Sequence, residues 1–337
     1  MHDTEPQAIL TSVSDAAIFL TLTIGPGGES GVRDLLSDVG GLRRSVGFRI
    51  PEARLACATA IGAELWDRLF GAPRPAGLHP FRAFNGAKHS APATPGDLFF
   101  HIRAQRLDLC FELAQLLAGR LKRYARVVDE VHGFRSFDER DLLGFVDGTE
   151  NPEGEAARTA VLVGQEDPQF TGGSYVLVQK YVHDLEAWNA LSVEEQERAF
   201  GRTKLSDVEF PDELKPANSH LALNTIIDDT DQQRQIMRFN MPFGQVGDSE
   251  YGTYYIAYAR SPEVIEEMLE NMFIGKPPGN HDRILDFSTA LTGNLFFAPS
   301  MAFLDDPPAP AAAAVNDAQD PPAASDGSLH IGGLKGR

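Results

Sequence analysis

The sequence predicts an α+β fold built from two related halves. Three observations support this. Strand-like apolar runs alternate with amphipathic helices from Ala16 to Phe273. A strand with a basic residue at its end, followed by an amphipathic helix, occurs twice, as DLFFHIRA at 97–104 and as TYYIAYAR at 253–260. No glycine-rich phosphate loop follows any strand, which disfavours a doubly wound parallel sheet. Short strands with helices on one face fit two ferredoxin-like halves, with antiparallel sheets and flanking helices.

In the first half, residues 16–25 read as a strand. Residues 31–46 have helical periodicity, with Val32, Leu35, Leu36, Val39 and Leu42 on one side. Residues 55–61 and 97–104 are β-rich, a helix follows at 107–121, and the chain from Ala125 is extended. In the second half, GGSYVLVQKYV from Gly172 alternates as a strand. Residues 185–200 read as helix, with SVEE at Ser192 forming a capping box. Strands are expected at 220–227, 235–241 and 251–260, and then a helix opened by Ser261 with Pro262 in its first turn. The halves are expected at 1–150 and 151–304. From 305 to 327 proline, alanine and five aspartates without a basic residue predict a disordered linker, and the chain closes on the apolar-patterned SLHIGGLKGR at 328–337.

Composition narrows the function. The 337 residues carry 42 % apolar and 23 % charged side chains and a formal charge of −18, a soluble globular balance that argues against nucleic acid or anionic membrane as the main partner. No run is long enough to span a bilayer, and the apolar stretch from Ala16 follows Asp3, Glu5 and Asp15 instead of a basic leader, so a cytoplasmic protein is expected. Cys57 and Cys110 sit in apolar segments without metal-type spacing and read as reduced core residues.

Three segments carry chemistry. GFVDGTENP at 144–152 is a tightly specified loop presenting Asp147 and Glu150; from the residues alone an ordinary connecting turn with a capping aspartate is the favoured reading. QIMRFNMPFG, from Gln235, places Ile236, Arg238 and Asn240 on one strand face and Met237, Phe239 and Met241 on the other. The polar face suits either solvent or a pocket that binds a developing anion. His220 in NSHLALNTI shares its expected strand face with Ala222 and Asn224, and is either a ligand or a satisfied structural residue. The chain has no HExxH, zinc-type His/Cys cluster, nucleophile elbow or Walker loop.

Through GFVDGTENP, PANSHLALN, IMRFNMPFG, EYGTYYIAYAR and PPGNHDRILDFSTALTGNLFF the chain resembles the dye-decolorizing peroxidases of the bacterial intracellular branch (class B), over nearly its whole length to about Phe303. The resemblance implies two ferredoxin-like halves of the dimeric α+β barrel type, with one haem b per chain held mainly by the second. It implies Asp147 as the carboxylate, with Arg238 and Asn240, on the catalytic side of the haem, and His220 as the axial iron ligand. Asp282 is the implied carboxylate behind the imidazole, with Asp286 as the alternative. Arg202 of GRTK is expected at a haem propionate, and Gly148, Thr149 and Glu150 along the haem. The implied reaction is reduction of hydrogen peroxide with one-electron oxidation of dyes, phenols or other organic donors. Haem storage without turnover, and removal of iron from haem, are the rival readings; a carrier needs no acid–base group above the iron. Trp188 and Tyr251 are either electron relays or packing residues. SLHIGGLKGR resembles the cargo-loading peptide of encapsulin shells, which implies an encapsulin partner bound through 328–337, a location inside that nanocompartment and a homo-oligomer such as a hexamer.

Overall fold

The computed structural model describes residues 5–11 and 13–308. The first half runs β1 (Ala16–Ile24), α1 (Glu29–Gly47), β2 (Ala56–Gly62), α2 (Ala63–Phe70), a short ribbon of β3 (Phe84–Asn85) and β4 (Ser90–Ala91), β5 (Leu98–Ala104), α3 (Leu107–Leu121) and β6 (Ala125–Phe134). The second runs α4 (Gly154–Val161), β7 (Ser174–His183), α5 (Leu185–Asn189), α6 (Val193–Phe200), α7 (His220–Asn224), β8 (Met237–Arg238), β9 (Met241–Gln245), β10 (Glu250–Ala259), α8 (Pro262–Phe273), β11 (Ser288–Ala290), β12 (Asn294–Ala298) and α9 (Met301–Asp305).

One antiparallel sheet takes in both halves in the order β6-β1-β5-β2-β12-β7-β10-β8, with β9 also on β10. Number the four long strands of each half along the chain, counting β8 and β9 as one. Both halves then have the spatial order 4-1-3-2, the ferredoxin-like order that the twofold strand-and-helix pattern predicts. The halves join where β12 meets β2, with Phe296 opposite Gly62 and Phe297 opposite Ile61. The described residues form no closed barrel, although the two edges approach each other: a Cβ on Gly133 of β6 would lie 2.6 Å from that of Met241 on β9, so only glycine fits there.

Alternation along the strands feeds two cores. Ile18, Leu20, Leu22 and Ile24 of β1 point to the face covered by α1, α2, α3 and α8; Ala17 and Phe19 join the opposite cluster with Val178, Tyr254 and Phe296. On α1, Val32, Leu35, Leu36 and Val39 are buried as the periodicity predicts, while Leu42 is only partly covered. Cys57 and Cys110 are free and buried.

Three expected elements differ. The helix expected over 185–200 is two helices. The capping box at Ser192 forms, with Ser192 Oγ accepting from Glu195 N–H at 3.3 Å and Glu195 Oε2 from Ser192 N–H at 3.0 Å. A capping box begins a helix, so it also separates α6 from α5 before it. The strand expected at 220–227 opens as the short helix α7, because Ser219 Oγ caps it by accepting from Ala222 N–H at 3.4 Å. The strand expected at 235–241 is interrupted. At Asn240 the side-chain Oδ1, not the backbone, takes Ile256 N–H at 3.0 Å. The register survives the break: Arg238 faces Ala257 and Met241 faces Tyr254.

Candidate functional site

The second half encloses a cavity of about 1050 Å3, counted to where it opens to solvent. Its walls come from β7 and β10 (Tyr181, His183, Thr253, Tyr255), from α7 and α8, from the turn around Ile284, and from the loop at 141–150. Concave walls that are mostly apolar, with a few convergent polar groups, are typical of small-molecule and cofactor sites.

Two described histidines line it, and their environments separate their roles. His183 uses both ring nitrogens, Nδ1 with Ser288 Oγ at 2.8 Å and Nε2 with Thr253 Oγ1 at 3.0 Å. Burial pushes its pKa down to about 4, so it is a neutral, fully engaged structural residue. His220 is held through Nδ1 alone, 2.7 Å from Asp282 Oδ2. Asp282 has no solvent exposure, and its Oδ1 accepts from Ile284 N–H at 3.0 Å. A carboxylate can only accept here, so the ring proton sits on Nδ1 and the Nε2 lone pair is left for the cavity. Asn224 closes this side: its Nδ2 donates to the His220 carbonyl at 2.8 Å and lies 3.3 Å from Asp282 Oδ2. Helix α7 explains the pairing, since residues four apart share a helical face; Ala222, expected beside them on a strand, turns away to the cap. Asp286 does not reach His220 and contacts Lys88, His89 and His281 instead.

Asp147, Arg238 and Asn240 line the same cavity. Gly148, with φ of +79°, supplies the left-handed turn that GFVDGTENP needs directly after Asp147. Asp147 Oδ1 accepts from Asn240 Nδ2 at 3.2 Å. Arg238 Nε is buried without a hydrogen-bond partner among the described residues. A charged donor left unsatisfied in this way is costly. A neighbouring cavity of about 690 Å3 shares Asp141, Asp147, Gly148, Arg238 and Asn240 as a common wall.

Gly148, Thr149, Glu150 and Arg202 also border the larger cavity. Arg202 Nη1 donates to Thr149 Oγ1 at 2.7 Å, and its Nε pairs with Asp207 Oδ1 at 2.9 Å. Trp188 is fully buried and donates from Nε1 to the Leu143 carbonyl at 2.9 Å, which is packing behaviour. Sequence reasoning missed three site residues. Asn151 grips the backbone of Arg238 from the GFVDGTENP loop, where it reads only as an Asn-Pro turn. Asn224 supports the His220 pair. Asp141 lines both cavities; burial raises its pKa to about 7, the nearby Asp147 charge adds to this, and the Phe145 N–H it accepts at 3.0 Å opposes it.

Comparisons with known proteins agree along the whole described chain. The family described as Dyp-type peroxidase, N-terminal, matches residues 6–135, and its C-terminal counterpart matches 138–303. A dye-decolorizing peroxidase of Rhodococcus erythropolis is 59 % identical over 98 % of this chain and 97 % of its own. The encapsulated DyP-type peroxidase from Mycobacterium smegmatis, solved by cryo-EM, is 59 % identical with a TM-score of 0.89, over 90 % of this chain and 99 % of that one. A variant of DypB from Rhodococcus jostii RHA1 in complex with heme is 55 % identical with a TM-score of 0.88, over 90 % and 99 %.

Proposed function

This chain belongs to the Dyp-type peroxidase family, and we propose that it works as a haem b peroxidase of the dye-decolorizing kind with His220, Asp147, Arg238 and Asn240 at its centre. The donor set fits haem. The cavity offers one histidine whose Nδ1 is held by a buried carboxylate and whose Nε2 is left for a ligand, together with the Arg238 guanidinium. The observation that carries the reading is the His220–Asp282 pair, which orients an imidazole at the cavity wall.

His220 Nε2 would hold the iron, and Asp282 would fix the ring tautomer and raise its basicity. Arg202, Gly148, Thr149 and Glu150 would border the macrocycle. Bound haem supplies the two-electron reduction of hydrogen peroxide and the one-electron oxidation of dyes, phenols or other organic donors. The chain's own contribution is proton handling and charge. Asp147, oriented by the Asn240 amide, accepts the proton that peroxide loses and returns it to the departing oxygen. Arg238, which lines the same cavity, sets a fixed cation beside the anion that develops. A carrier that stores haem has no use for this acid–base set. Rapid mixing of the haem-loaded protein with peroxide tests the reading: the Soret band should change within the dead time to seconds, and a dye should then be oxidised. An unchanged Soret band with no dye oxidation would move the assignment to haem carriage.

The Mycobacterium smegmatis relative is encapsulated, which supports a matching role for SLHIGGLKGR at 328–337, a segment outside the described residues. In this reading the enzyme is cytoplasmic, enclosed by an encapsulin shell, and assembled as a symmetric oligomer such as a hexamer. Among the described residues no helix is long and apolar enough to cross a membrane.

A further inference from the structure

Away from this cavity, three metal-ligating side chains converge on a point that the peroxidase reading does not use. His89 Nε2 lies 2.9 Å and His281 Nε2 3.0 Å from the same oxygen, Asp286 Oδ1. The three ligand atoms lie within 4.8 Å of one another, and the two imidazoles meet edge to face at 4.9 Å. Two imidazole nitrogens and a carboxylate oxygen at that spacing match the donor set of an open divalent zinc-type site, whose ligands sit about 2.0–2.2 Å from the metal and whose fourth position holds water. All three side chains are only partly covered, at 19 %, 24 % and 28 % exposure, so an ion can enter.

We propose that His89, His281 and Asp286 bind one divalent transition-metal ion of the zinc class. Lys88 Nζ lies 2.5 Å from the same carboxylate oxygen, on a side chain that is 58 % exposed. The ion bridges the halves. His89 lies in the loop between β3 and β4 of the first, and in the second His281 precedes the short turn Arg283–Asp286, which Asp286 ends. The site is independent of whether His220 holds haem.

The test uses untagged, haem-loaded protein, dialysed against chelator and then against zinc chloride. Elemental analysis should find one zinc per chain beyond the haem iron, and cobalt(II) should give visible d–d bands of a four-coordinate site. His89→Gln and Asp286→Asn, with haem content retained, should weaken zinc binding by about 100-fold or more, since losing even an outer support of a ligand costs 10- to 100-fold. No retained zinc in the wild type would overturn the proposal, leaving a lysine–aspartate ion pair with two histidine donors. Undiminished binding by both variants would overturn it as well, by placing the metal elsewhere.

Discussion

Asn151 holds the backbone of Arg238 at both ends: its Oδ1 accepts from Arg238 N–H at 2.8 Å, and its Nδ2 donates to the Arg238 carbonyl at 2.8 Å. Arg238 lies on β8, the last strand of the sheet order, with Ala257 of β10 on its paired side. An edge strand leaves such groups open, and here one amide side chain stands in for the missing neighbour. The loop that carries Asp147 thereby fixes the strand that carries Arg238.

Asn151→Ala should therefore act through Arg238. Leaving the edge N–H and C=O unpartnered is expected to cost about 1–3 kcal/mol of stability. Haem content should stay normal while turnover with peroxide falls. Urea unfolding and steady-state kinetics on the same preparation check this, and unchanged values in both would remove the clamp from the account.

The His220–Asp282 pair predicts a graded pair of effects. His220→Ala should abolish the histidine-ligated haem spectrum or empty the site. Asp282→Asn keeps the size of the side chain but loses the charge, and should speed haem loss by about 10- to 100-fold. Transfer of haem to an apoglobin reports the rate directly; wild-type release from Asp282→Asn would show that the charge behind the ring is immaterial.

Arg238 and Asp147 should differ in consequence. A fixed cation acts on the charge that develops as peroxide breaks, whereas water can substitute in part for a proton shuttle. Arg238→Leu is expected to slow the reaction with peroxide by roughly a hundred- to a thousandfold, and Asp147→Ala by less, with haem bound in both. Stopped-flow rates in the reverse order would mean that proton transfer limits the step.

Asp141 gives the stability a pH dependence of definite sign. Its native pKa is about 7 against an ordinary 3.8, mainly because burial disfavours the charged form. Between those values the native state binds more protons than the unfolded chain, so this contribution is complete below about pH 4 and is lost as pH rises through about 7. Asn at 141 can still accept the Phe145 N–H but cannot ionise. Denaturation near pH 5 and near pH 8 should show the wild type losing ground to Asp141→Asn at the higher value. Parallel pH profiles for the two proteins would contradict the shift.

Legibility in the sequence followed range. The strands and long helices follow from local periodicity, and the tightness of GFVDGTENP follows from its glycines. Asn151 was hidden because its partner is 87 residues away and its own dipeptide already has a sufficient reason to exist as a turn. The choice between Asp282 and Asp286 was open for the same reason: both belong to one short motif, and only folding decides which carboxylate meets an imidazole 62 residues upstream. Helix α7 is five residues long, too short for periodicity to outweigh the β-branched residues after it, so its Ser219 cap decided the outcome.

The tail yields the last prediction. Leu329, Ile331 and Leu334 punctuate SLHIGGLKGR after a proline- and aspartate-rich stretch, and they should dock in apolar grooves on the inner wall of an encapsulin shell. Burying three such side chains could supply about 1.5–3 kcal/mol each before ordering costs. An oligomeric enzyme presents several tails to a repeated surface, so avidity multiplies a modest single-tail affinity. Deleting residues 328–337 should leave haem content and peroxidase activity intact while abolishing co-purification with the shell. Co-expression of full-length and truncated enzyme with the shell protein, followed by comparison of cargo in isolated particles, decides the matter. Equal loading of the truncated enzyme would sink the docking role, because the catalytic body would then be reaching the shell through some other surface.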